Sequence, residues 1–502
     1  MPEIHKPVEF HPEKNSVTLT HPEDIPGGSL PAIPSKSHAH RLLLAAALSD
    51  GPTDLICPVT SKDIDATAAC LTKMGAEVTR TKNGFRILPI DHKVKETSIN
   101  VGESGSTLRF LLPVLGALSI SAEIHMEGRL PDRPLSPLDG EMIRHGIFLS
   151  GRGENPLYIS GELTPGTYTI DGRVSSQYIT GLLFALPQLR EDSLLVITEK
   201  LESRPYVDIT LQVLQEFGIT ILEGTEGVTL PKLEGNIAAL FRIPGNQTFH
   251  APGSLCTVEG DWSNAAFFLA AGSLLRNPVT VTGCNLKSPQ GDKKIAELLN
   301  MFGASISESE AASKTTDYSG SADTSGLTNV SDLTDSSDST NGFGLTDLTV
   351  IGGNLHGIVI DAADIPDLVP ILSVVAAFAE GTTVIRNIER LRIKESDRVA
   401  TVLEMLEALG SDAAESAEDS PGIIEFLAAE PFPARTGVSC IRIIGKPSLP
   451  GGRVDSHNDH RIAMAAAIAS LRTEGPVEIL TPMAVTKSYP GFYQDLETIL
   501  GW

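Results

Sequence analysis

The chain has 502 residues, of which 41% are hydrophobic and 20% are charged, a composition typical of a globular protein. A chain of this length is too long for one hydrophobic core, so its length predicts two domains. Its formal net charge of -24 argues against nucleic acid or an anionic membrane as a partner, although a local basic pocket can still bind a small anion. The five scattered cysteines lack metal or redox spacing, and no apolar stretch suits a signal peptide or a membrane span, so we expect a cytoplasmic protein without a metal.

Six segments share one design, in which a polar start is followed by a run of small and apolar residues. Each run is apolar nearly all round, which predicts a helix that is buried on every side. Each start is a residue type that caps helix N-termini. The first three starts are about 70 residues apart, which is a spacing typical of a repeated supersecondary unit. In chain order the segments begin at Ser35, Ser104, Ser175, Asp261, Asp364 and Asn458.

A second, amphipathic helix is predicted after each buried one. The first five of these reach a glycine, the expected C-terminal stop, and the sixth closes the chain in PGFYQDLETILGW. Short β-rich runs such as GTTVIRNI lie between the helices. The sequence therefore predicts a two-domain α/β fold in which a βαβαβ-type unit with buried helices is used six times, three per domain. The cleft between the domains is the expected ligand site.

Two segments depart from this pattern. Residues from about 308 to 344 are rich in Ser, Thr, Asp and Gly and have almost no aliphatic clusters, which predicts a disordered insertion between a helix and a strand. The shorter acidic run SDAAESAEDSPG, which begins at Ser411, favours a surface loop for the same reason. We expect both segments to be loops without a function of their own.

Polar groups gather at the predicted N-termini of the buried helices, where free N–H groups and the helix dipole attract anions. Any one of them is more simply a capping residue or a surface cation. Their repetition at equivalent places favours a site for several phosphates or carboxylates. Arg129 and Arg133, in the proline-containing loop GRLPDRP, add two more cations. The groups at the helix starts are Lys36, Arg41, Ser106, Arg109, Ser175, Ser176, Gln177, His460 and Arg461.

The segment KESDRVATVLEMLEAL contains the best acid–base candidate, Glu395. Because Glu395 lies four residues before Val399, it extends the apolar stripe of the predicted helix, and we expect a core-facing carboxyl with a raised pKa. A solvent-exposed ion pair at a helix start is the alternative. Lys394 and Arg398 are expected to share a neighbouring face of the same helix. For Asp367, at another buried helix start, a plain N-cap is the simpler interpretation.

Taken together, these motifs resemble those of the 5-enolpyruvylshikimate-3-phosphate synthases, over nearly the whole chain apart from the insertion and the first dozen or so residues. The combination of KESDR with NDHR is specific to that family, whereas no single motif is. The pattern departs from the family at Pro34, Phe110 and Arg390, where Gly, Pro and Asn are usual. The matching motifs are SKSHAHR from Ser35, GESGSTLR from Gly102, SSQ from Ser175, KESDR from Lys394 and NDHR from Asn458.

The resemblance implies a transferase that moves the enolpyruvyl group of phosphoenolpyruvate to the 5-hydroxyl of shikimate 3-phosphate without a cofactor. It also implies a monomer with two inside-out α/β domains, each a threefold repeat, formed by residues 1–34 with 259–502 and by residues 35–258. Asp367, Glu395 and Lys36 are the implied catalytic residues. The implied ligands of shikimate 3-phosphate are Lys36, Ser37, Arg41, Ser175, Ser176, Gln177, Ser203, Tyr206, Asp367 and Lys394. The implied ligands of phosphoenolpyruvate are Lys36, Gly105, Arg129, Gln177, Arg398, Arg461 and Lys487.

Two other interpretations stay open at this point. One is the sister enzyme that transfers enolpyruvate to a UDP-aminosugar, which typically has a cysteine before an Arg-Pro pair in a mobile loop. The corresponding loop here, HMEGRLPDRP, contains no cysteine. The other is a catalytically silent anion-binding protein of the same fold, against which the presence of Asp367, Glu395 and Lys487 argues.

Overall fold

The structure, a computed structural model, describes residues 6–151, 153–224, 236–253, 255–310, 344–428 and 433–502. Within these ranges no helix is both long and apolar enough to cross a membrane. The predicted insertion from about 308 to 344 lies almost entirely outside the described residues, and its disorder stays a prediction.

Helices alternate along the described chain between the predicted buried type and the predicted amphipathic type. One short helix, α11 (Ile423–Leu427), was not predicted. The buried helices are α1 (Lys36–Leu48), α3 (Gly105–Ala117), α5 (Ser176–Ala185), α7 (Trp262–Leu274), α9 (Val369–Ala377) and α12 (His460–Ala469). The amphipathic helices are α2 (Lys62–Lys73), α4 (Leu138–Arg144), α6 (Arg204–Glu216), α8 (Ile295–Phe302), α10 (Arg398–Ala408) and α13 (Phe492–Ile499).

Side-chain caps determine where most of the buried helices begin. Helix α9 is the exception, because it follows a 3-10 turn at Pro366–Leu368 that has no side-chain cap. The interpretation of Asp367 as a plain N-cap is therefore wrong, and its carboxylate is available to other partners. The capping side chains of the other five are Ser35, Ser104, Ser175, Asp261 and Asp459, each of which accepts a hydrogen bond from a backbone N–H two or three residues later.

Each helix pair belongs to a four-stranded sheet, and the six sheets share one pattern of pairing in the described chain. The first strand in space is parallel to the second, and the remaining pairs are antiparallel. Three of the sheets come mainly from residues 35–258. Their spatial orders are β15 (Cys256–Thr257), β4 (Thr53–Ile56), β6 (Gly84–Leu88), β5 (Glu77–Thr81); β7 (Glu96–Asn100), β8 (Ser121–His125), β10 (Leu157–Gly161), β9 (Ile147–Leu149); and β11 (Thr167–Asp171), β12 (Ser193–Thr198), β14 (Ile237–Ile243), β13 (Leu222–Glu223).

The other three sheets come from the two ends of the chain. The same unit recurs in all six sheets, which confirms the predicted α/β repeat. Each sheet has one strand more than predicted, so the unit is βαβαββ. In the last unit the two final strands, β1 and β2, are supplied by the start of the chain. The spatial orders are β3 (Gly28–Pro31), β16 (Val279–Asn285), β18 (Leu345–Ile351), β17 (Ser305–Glu310); β19 (Val359–Asp361), β20 (Thr382–Arg386), β22 (Ser439–Ile444), β21 (Asp412–Ala417); and β23 (Gly452–Asp455), β24 (Val477–Leu480), β2 (Ser16–Leu19), β1 (Val8–His11).

Two passages of the chain between the halves lie side by side. Pro34 forms an antiparallel bridge with Gly260, and the Ser35 N–H donates to the Glu259 carbonyl at 2.8 Å. Strand β3, which precedes α1 in the chain, pairs with β16 in the half formed by the two ends of the chain. Strand β15, which precedes α7, pairs with β4 in the half formed by residues 35–258. The chain therefore passes from one half to the other directly after each of these strands, at two adjacent connections.

The two largest hydrophobic clusters of the described residues occupy the two halves. One is built from residues between Val8 and Ile33 and between Trp262 and Leu500, and the other from residues between Ala39 and Val258. These cores support the domain boundaries expected near residues 34 and 259, which stay a proposal. All residues of α7, α9 and α12 are buried, as expected for helices at the centre of a layer of sheets. Helices α3 and α5 approach so closely that a Cβ at Gly181 would collide with the carbonyl oxygen of Arg109.

Two segments that were predicted to be loops contain strands. The predicted insertion starts too early, because residues 308–310 belong to β17 and pair with β18. The acidic run from Ser411 forms β21, an edge strand that pairs antiparallel with β22. An edge strand needs backbone pairing on one side only and tolerates charged side chains that face water, so its polar composition does not distinguish it from a loop.

Candidate functional site

The N-terminal ends of the six buried helices meet at one cavity between the two halves. This central cavity is lined by both halves of the molecule. It brings together the predicted site residues Lys36, Ser37, Arg41, Gly105, Ser175, Ser176, Gln177, Ser203, Tyr206, Asp367, Lys394, Glu395, Arg398 and Arg461. Helix starts carry unpaired N–H groups, so their convergence alone makes the cavity attractive to anions.

Two predicted site residues do not line this cavity. Arg129 is exposed at the start of a 3-10 turn, Leu130–Asp132, and it is Arg133, at the other end of that turn, that reaches the cavity. Lys487 lies in a neighbouring cavity. Arginines 129 and 133 share one short loop, and the sequence alone does not show which of them points inward.

Sequence reasoning missed several residues that line the central cavity, among them Asp63, Arg390 and Asn264. Asp63, on the amphipathic helix α2, accepts a hydrogen bond from Lys36 Nζ at 3.0 Å. Arg390, noted only as a departure from the family pattern, donates to Ser203 Oγ at 2.6 Å. Asn264 lies in the first turn of α7. The position of Asn264 just after the cap Asp261 is a signal that was available, since the other buried helices also place polar residues there.

Asp367 is the point at which several cations meet. Its Oδ1 accepts from Arg398 Nη1 at 2.7 Å and from Lys394 Nζ at 3.3 Å. Its Oδ2 accepts from Arg461 Nη2 and from the Tyr206 hydroxyl, both at 3.1 Å. Burial alone would raise the pKa of this carboxyl, but the surrounding cations hold the pKa well below its usual value. Asp367 is therefore ionised at neutral pH.

Glu395 has a different position and charge from those expected. Helix α10 begins at Arg398 with Asp397 as its cap, so Glu395 precedes the helix and does not extend its apolar stripe. Its Oε2 accepts from Arg398 Nη2 at 2.7 Å, and its Oε1 lies 3.6 Å from Arg133 Nη1. Burial would raise the pKa of this carboxyl, but the two guanidinium groups hold it well below the usual value. The expectation that the pKa of Glu395 is raised is therefore wrong. The expectation that Lys394 and Arg398 share a helix face is also wrong, because the helix begins at Arg398 and both side chains contact Asp367.

Arg398 links three of the helix starts. Its side chain is 1% exposed and contacts Asp367, Glu395 and Asp459, the last of these at 2.8 Å through Nε. Asp459 also caps α12, so one guanidinium joins the turn before α9, the start of α10 and the start of α12. Each acidic neighbour raises the pKa of Arg398, which burial would lower.

The opposite wall belongs to the other half of the molecule. A Cβ at Gly105 would lie 2.6 Å from Arg109 Nη1 and 2.9 Å from Arg133 Nη1, so this glycine leaves room for two guanidinium groups at the start of α3. Arg109 donates to Gln177 Oε1 at 2.7 Å, and Gln177 Nε2 donates to Ser106 Oγ at 3.0 Å. Burial lowers the pKa of Arg109 to about 10, which leaves it charged at neutral pH.

Phe110, which replaces the proline usual in the family pattern, is accommodated by packing against Arg41. The guanidinium carbon of Arg41 lies 5.0 Å from the centre of the Phe110 ring. Arg41 also donates to the carbonyl oxygens of Ser37 and Tyr206, at 2.7 and 2.9 Å. The departure therefore supports the placement of a cavity arginine and does not fill the cavity.

Contacts between the halves surround the central cavity and close it. Tyr206 reaches Asp367, Arg133 reaches Glu395, and Arg390 reaches Ser203. In each pair one residue belongs to the half formed by residues 35–258 and the other to the half formed by the two ends of the chain. Among the described residues, no cluster of three or more His, Cys, Asp and Glu side chains is arranged to hold a metal ion. The absence of a cofactor stays a prediction.

Comparisons with known proteins agree with this geometry. The family model of EPSP synthase (3-phosphoshikimate 1-carboxyvinyltransferase) matches residues 27–496. The chain belongs to the EPSP synthase family. The resemblance inferred from the sequence motifs is thereby confirmed.

Curated relatives in the EPSP synthase family match nearly the whole length of this chain. The 3-phosphoshikimate 1-carboxyvinyltransferase of Clostridium novyi (strain NT) is 37% identical over 487 residues, which cover 94% of this chain and 95% of the relative. That of Clostridium perfringens (strain 13 / Type A) is 36% identical over 478 residues, which cover 94% and 96%. A solved EPSP synthase from Acinetobacter baumannii has a TM-score of 0.68 at 22% identity and covers 95% of this chain and 96% of its own. That likeness confirms the predicted two-domain α/β fold.

A further buried carboxyl in this EPSP synthase family member, Asp292, lies behind the cavity wall. One of its oxygens accepts a hydrogen bond from Ser263, which lines the cavity, and Oδ1 has no hydrogen-bond partner among the described residues. Burial, together with the negative charge of Asp367, raises the pKa of Asp292 to about 7, although Arg461 acts in the opposite direction. Asp292 thus carries a proton through much of the range in which ordinary carboxyl groups are ionised.

We expect Asp292→Asn to change how stability depends on pH. Since the folded pKa of Asp292 lies above its unfolded value, its contribution to stability is fully present below about pH 4 and is lost as the pH rises to about 7, by up to about 1.4 kcal/mol per pH unit. The asparagine variant cannot lose this proton. Its melting temperature should therefore rise relative to wild type between pH 5 and pH 8. A difference that stays constant with pH, or that matches the exposed control Asp54→Asn, would contradict a raised pKa.

Proposed function

We propose that the protein transfers the enolpyruvyl group of phosphoenolpyruvate to the 5-hydroxyl of shikimate 3-phosphate and releases phosphate, a step of the shikimate pathway to chorismate and the aromatic amino acids. The observation that carries this proposal is the central cavity, in which cations from both halves surround two ionised carboxylates, Asp367 and Glu395. Both substrates bring a phosphate and a carboxylate, which these cations can neutralise. The names of the relatives and the family membership support the same reaction.

Shikimate 3-phosphate is proposed to bind where the starts of α1 and α5 face Asp367. Its phosphate and carboxylate suit the N–H groups and hydroxyls at those helix starts. Its ring hydroxyls suit the carboxylate of Asp367, which the cations hold ionised. The proposed ligands are those implied by the family: Lys36, Ser37, Arg41, Ser175, Ser176, Gln177, Ser203, Tyr206, Asp367 and Lys394.

Phosphoenolpyruvate is proposed to bind between the start of α3 and the arginines of the other half. Arg129 stays a proposed ligand, and we add Arg133 to this set, because Arg133 lines the cavity beside Gly105, whereas Arg129 is exposed at the start of the same turn. Arg109 is added for the same reason. The remaining proposed ligands are Lys36, Gly105, Gln177, Arg398, Arg461 and Lys487, the last of which lies in the neighbouring cavity.

The proposed reaction needs the two bound anionic substrates and the carboxylates of Asp367 and Glu395. The 5-hydroxyl oxygen attacks C2 of the enol as Asp367 or Glu395 takes its proton, and C3 accepts a proton, for which Glu395 is the proposed donor. The resulting tetrahedral ketal loses a proton from its new methyl group and expels phosphate with cleavage of the C–O bond. Both carboxylates are bases in the free protein, because their pKa values are lowered. Bound phosphate and carboxylate groups offset the nearby cations, which raises the carboxyl pKa and allows a captured proton to be delivered.

The cations supply positioning and charge neutralisation. Lys36, which lines the central cavity, is held by Asp63, and Arg398 is fixed by three carboxylates. Groups that are already oriented before the substrates arrive stabilise developing charge without reorganisation. We further infer a cytoplasmic monomer; the five cysteines are free and buried, which fits a reducing compartment.

The direct test is phosphate release by the purified protein. We expect release only when phosphoenolpyruvate and shikimate 3-phosphate are both present, because the hydroxyl of one must attack the other. Reactions that lack either substrate are the controls. Release with a UDP-aminosugar in place of shikimate 3-phosphate would assign the chain to the sister activity, and no release with any acceptor would favour a silent anion-binding protein.

Replacement of Glu395 by Gln tests the proton-transfer step. We expect kcat to fall by about 10²–10⁴-fold, the usual contribution of a general acid–base group, in a variant that still folds because Arg398 keeps Asp367 and Asp459 as partners. Glu389→Gln is a matched control, because Glu389 lies in the turn just before Lys394 and its side chain is 63% exposed. Nearly normal turnover by a folded Glu395→Gln protein would reduce Glu395 to a structural partner of Arg398.

A further inference from the structure

The acidic run that begins at Ser411 ends beside the segment that contains the first residues of the KESDR motif. Strands β20 and β21 both pair antiparallel with β22, which lies between them, so they run in the same direction and end on the same side of the sheet. After β20 the chain passes through residues 387–395, which we call the approach segment, before α10 begins. This segment contributes Arg390, Lys394 and Glu395 to the lining of the central cavity.

A buried carboxylate from the acidic run fixes the start of the approach segment. Glu418 follows β21, and its side chain is 0% exposed. It accepts two hydrogen bonds from Arg386, the last residue of β20, through Nε at 3.0 Å and Nη2 at 2.7 Å. Two such bonds fix orientation as well as distance. Burial would raise the pKa of Glu418, but hydrogen bonds from Arg435 and Arg386 lower it to about 2, so this carboxylate is ionised at neutral pH.

Arg435 links the same carboxylate to the first residue of the approach segment. Its backbone N–H donates to Glu418 Oε2 at 3.0 Å, and its guanidinium group forms an ion pair with that carboxylate. Arg435 Nη1 also donates to Asn387 Oδ1 at 2.8 Å. Asn387 has a φ of 59°, so the backbone turns sharply at the residue that Arg435 holds. Glu418 therefore fixes both the residue before the approach segment and the residue that opens it.

A second carboxylate of the acidic run holds the approach segment further along. Glu415 Oε1 accepts a hydrogen bond from Arg392 Nη2 at 2.5 Å. The two side chains are 34% and 33% exposed, so water screens this pair more than it screens the buried pair of Glu418. Arg392 lies between the cavity cations Arg390 and Lys394. The acidic run thus holds the segment at two points, one on either side of Arg390.

The approach segment directs two cations at proposed ligands of shikimate 3-phosphate. Lys394 Nζ donates to Asp367 Oδ1 at 3.3 Å, and Arg390 Nη1 donates to Ser203 Oγ at 2.6 Å. None of the proposed ligands of phosphoenolpyruvate lies in this segment. Arg398, which follows it, is fixed by three carboxylates that do not belong to the acidic run. A displaced approach segment therefore affects the two substrates differently.

We propose that Glu418, assisted by Glu415, is a positioning residue for shikimate 3-phosphate, because it holds the approach segment in the place from which Lys394 and Arg390 face that substrate. This inference rests on the function proposed above. Neither glutamate lines the central cavity, so each acts through the arginine that it holds. The acidic run then has a role in substrate binding, in place of the loop without a function that its composition suggested.

The first test is substrate binding by Glu418→Gln, which keeps the shape of the side chain and removes its charge. We expect the calorimetric Kd and the KM for shikimate 3-phosphate to rise by about tenfold, which is within the loss that a misplacement of about 1 Å can cause. KM for phosphoenolpyruvate should change by less than about twofold, because its proposed ligands lie outside the segment. Glu415→Gln should show the same selectivity with a smaller rise of about two- to threefold, since its pair is more exposed.

Asp419→Asn is the matched control for these variants. It removes the same charge from the residue next to Glu418, and the Asp419 carboxylate has no hydrogen bond or ion pair within the described part of the chain. We expect this control to leave the Kd for shikimate 3-phosphate and both KM values unchanged. Should Glu418→Gln fail to fold, Arg435→Gln takes its place, because the Arg435 side chain is 41% exposed and its loss removes the bond to Asn387.

Hydrogen exchange in the substrate-free protein separates this inference from the proposed reaction. We expect faster exchange in Glu418→Gln that is confined to residues 386–395 and to the adjoining residues 433–438. If the wild type binds no shikimate 3-phosphate, the proposed function fails, and the exchange pattern still decides whether Glu418 holds the segment. The inference is overturned if the KM values for both substrates rise equally, if exchange rises evenly through the whole half, or if Asp419→Asn has the same effects.

Discussion

The buried guanidinium of Arg398 is the interaction on which the rest of the site depends. An unpaired ion in the interior costs several kcal/mol, and removal of one partner of a buried pair typically costs about 3–5 kcal/mol. Arg398 avoids that cost by contacting Asp367, Glu395 and Asp459 at once. Because these carboxylates come from the turn before α9, the approach to α10 and the cap of α12, their shared cation fixes three helix starts relative to one another.

This cluster also explains how the central cavity can be closed by contacts between the halves and still bind anions. The carboxylates balance the cations of one half, while Arg109 and Arg133 lie beside Gly105 in the other half, where Arg109 donates to Gln177 Oε1 and to the Pro134 carbonyl. Arg133 approaches Glu395, and Tyr206 donates to Asp367, so each half partly neutralises the other. A bound phosphate or carboxylate strengthens the same attraction, which couples substrate binding to closure.

Features that depend on local chemistry were predictable from the sequence. The buried helices and most of their caps follow from apolar runs that open on Ser, Asp or Asn, since capping is decided within a few residues. The position of Glu395 was mistaken because Asp397, two residues later, is the stronger capping residue and starts α10. Its lowered pKa depends on Arg133, a residue distant in the chain that only the folded arrangement brings near. For the same reason the sequence could not show which of Arg129 and Arg133 lines the central cavity, nor that Lys487 pairs with Glu103.

The central claim is that Asp367 is an ionised base which the cations hold in place, and the most direct measurement is binding and turnover by Asp367→Asn. Removal of one negative charge from an anion site should leave the calorimetric Kd for shikimate 3-phosphate unchanged or lower it, while kcat falls by about 10²-fold or more. A variant that turns over normally, or one that folds and keeps kcat but binds shikimate 3-phosphate more weakly, would contradict the account.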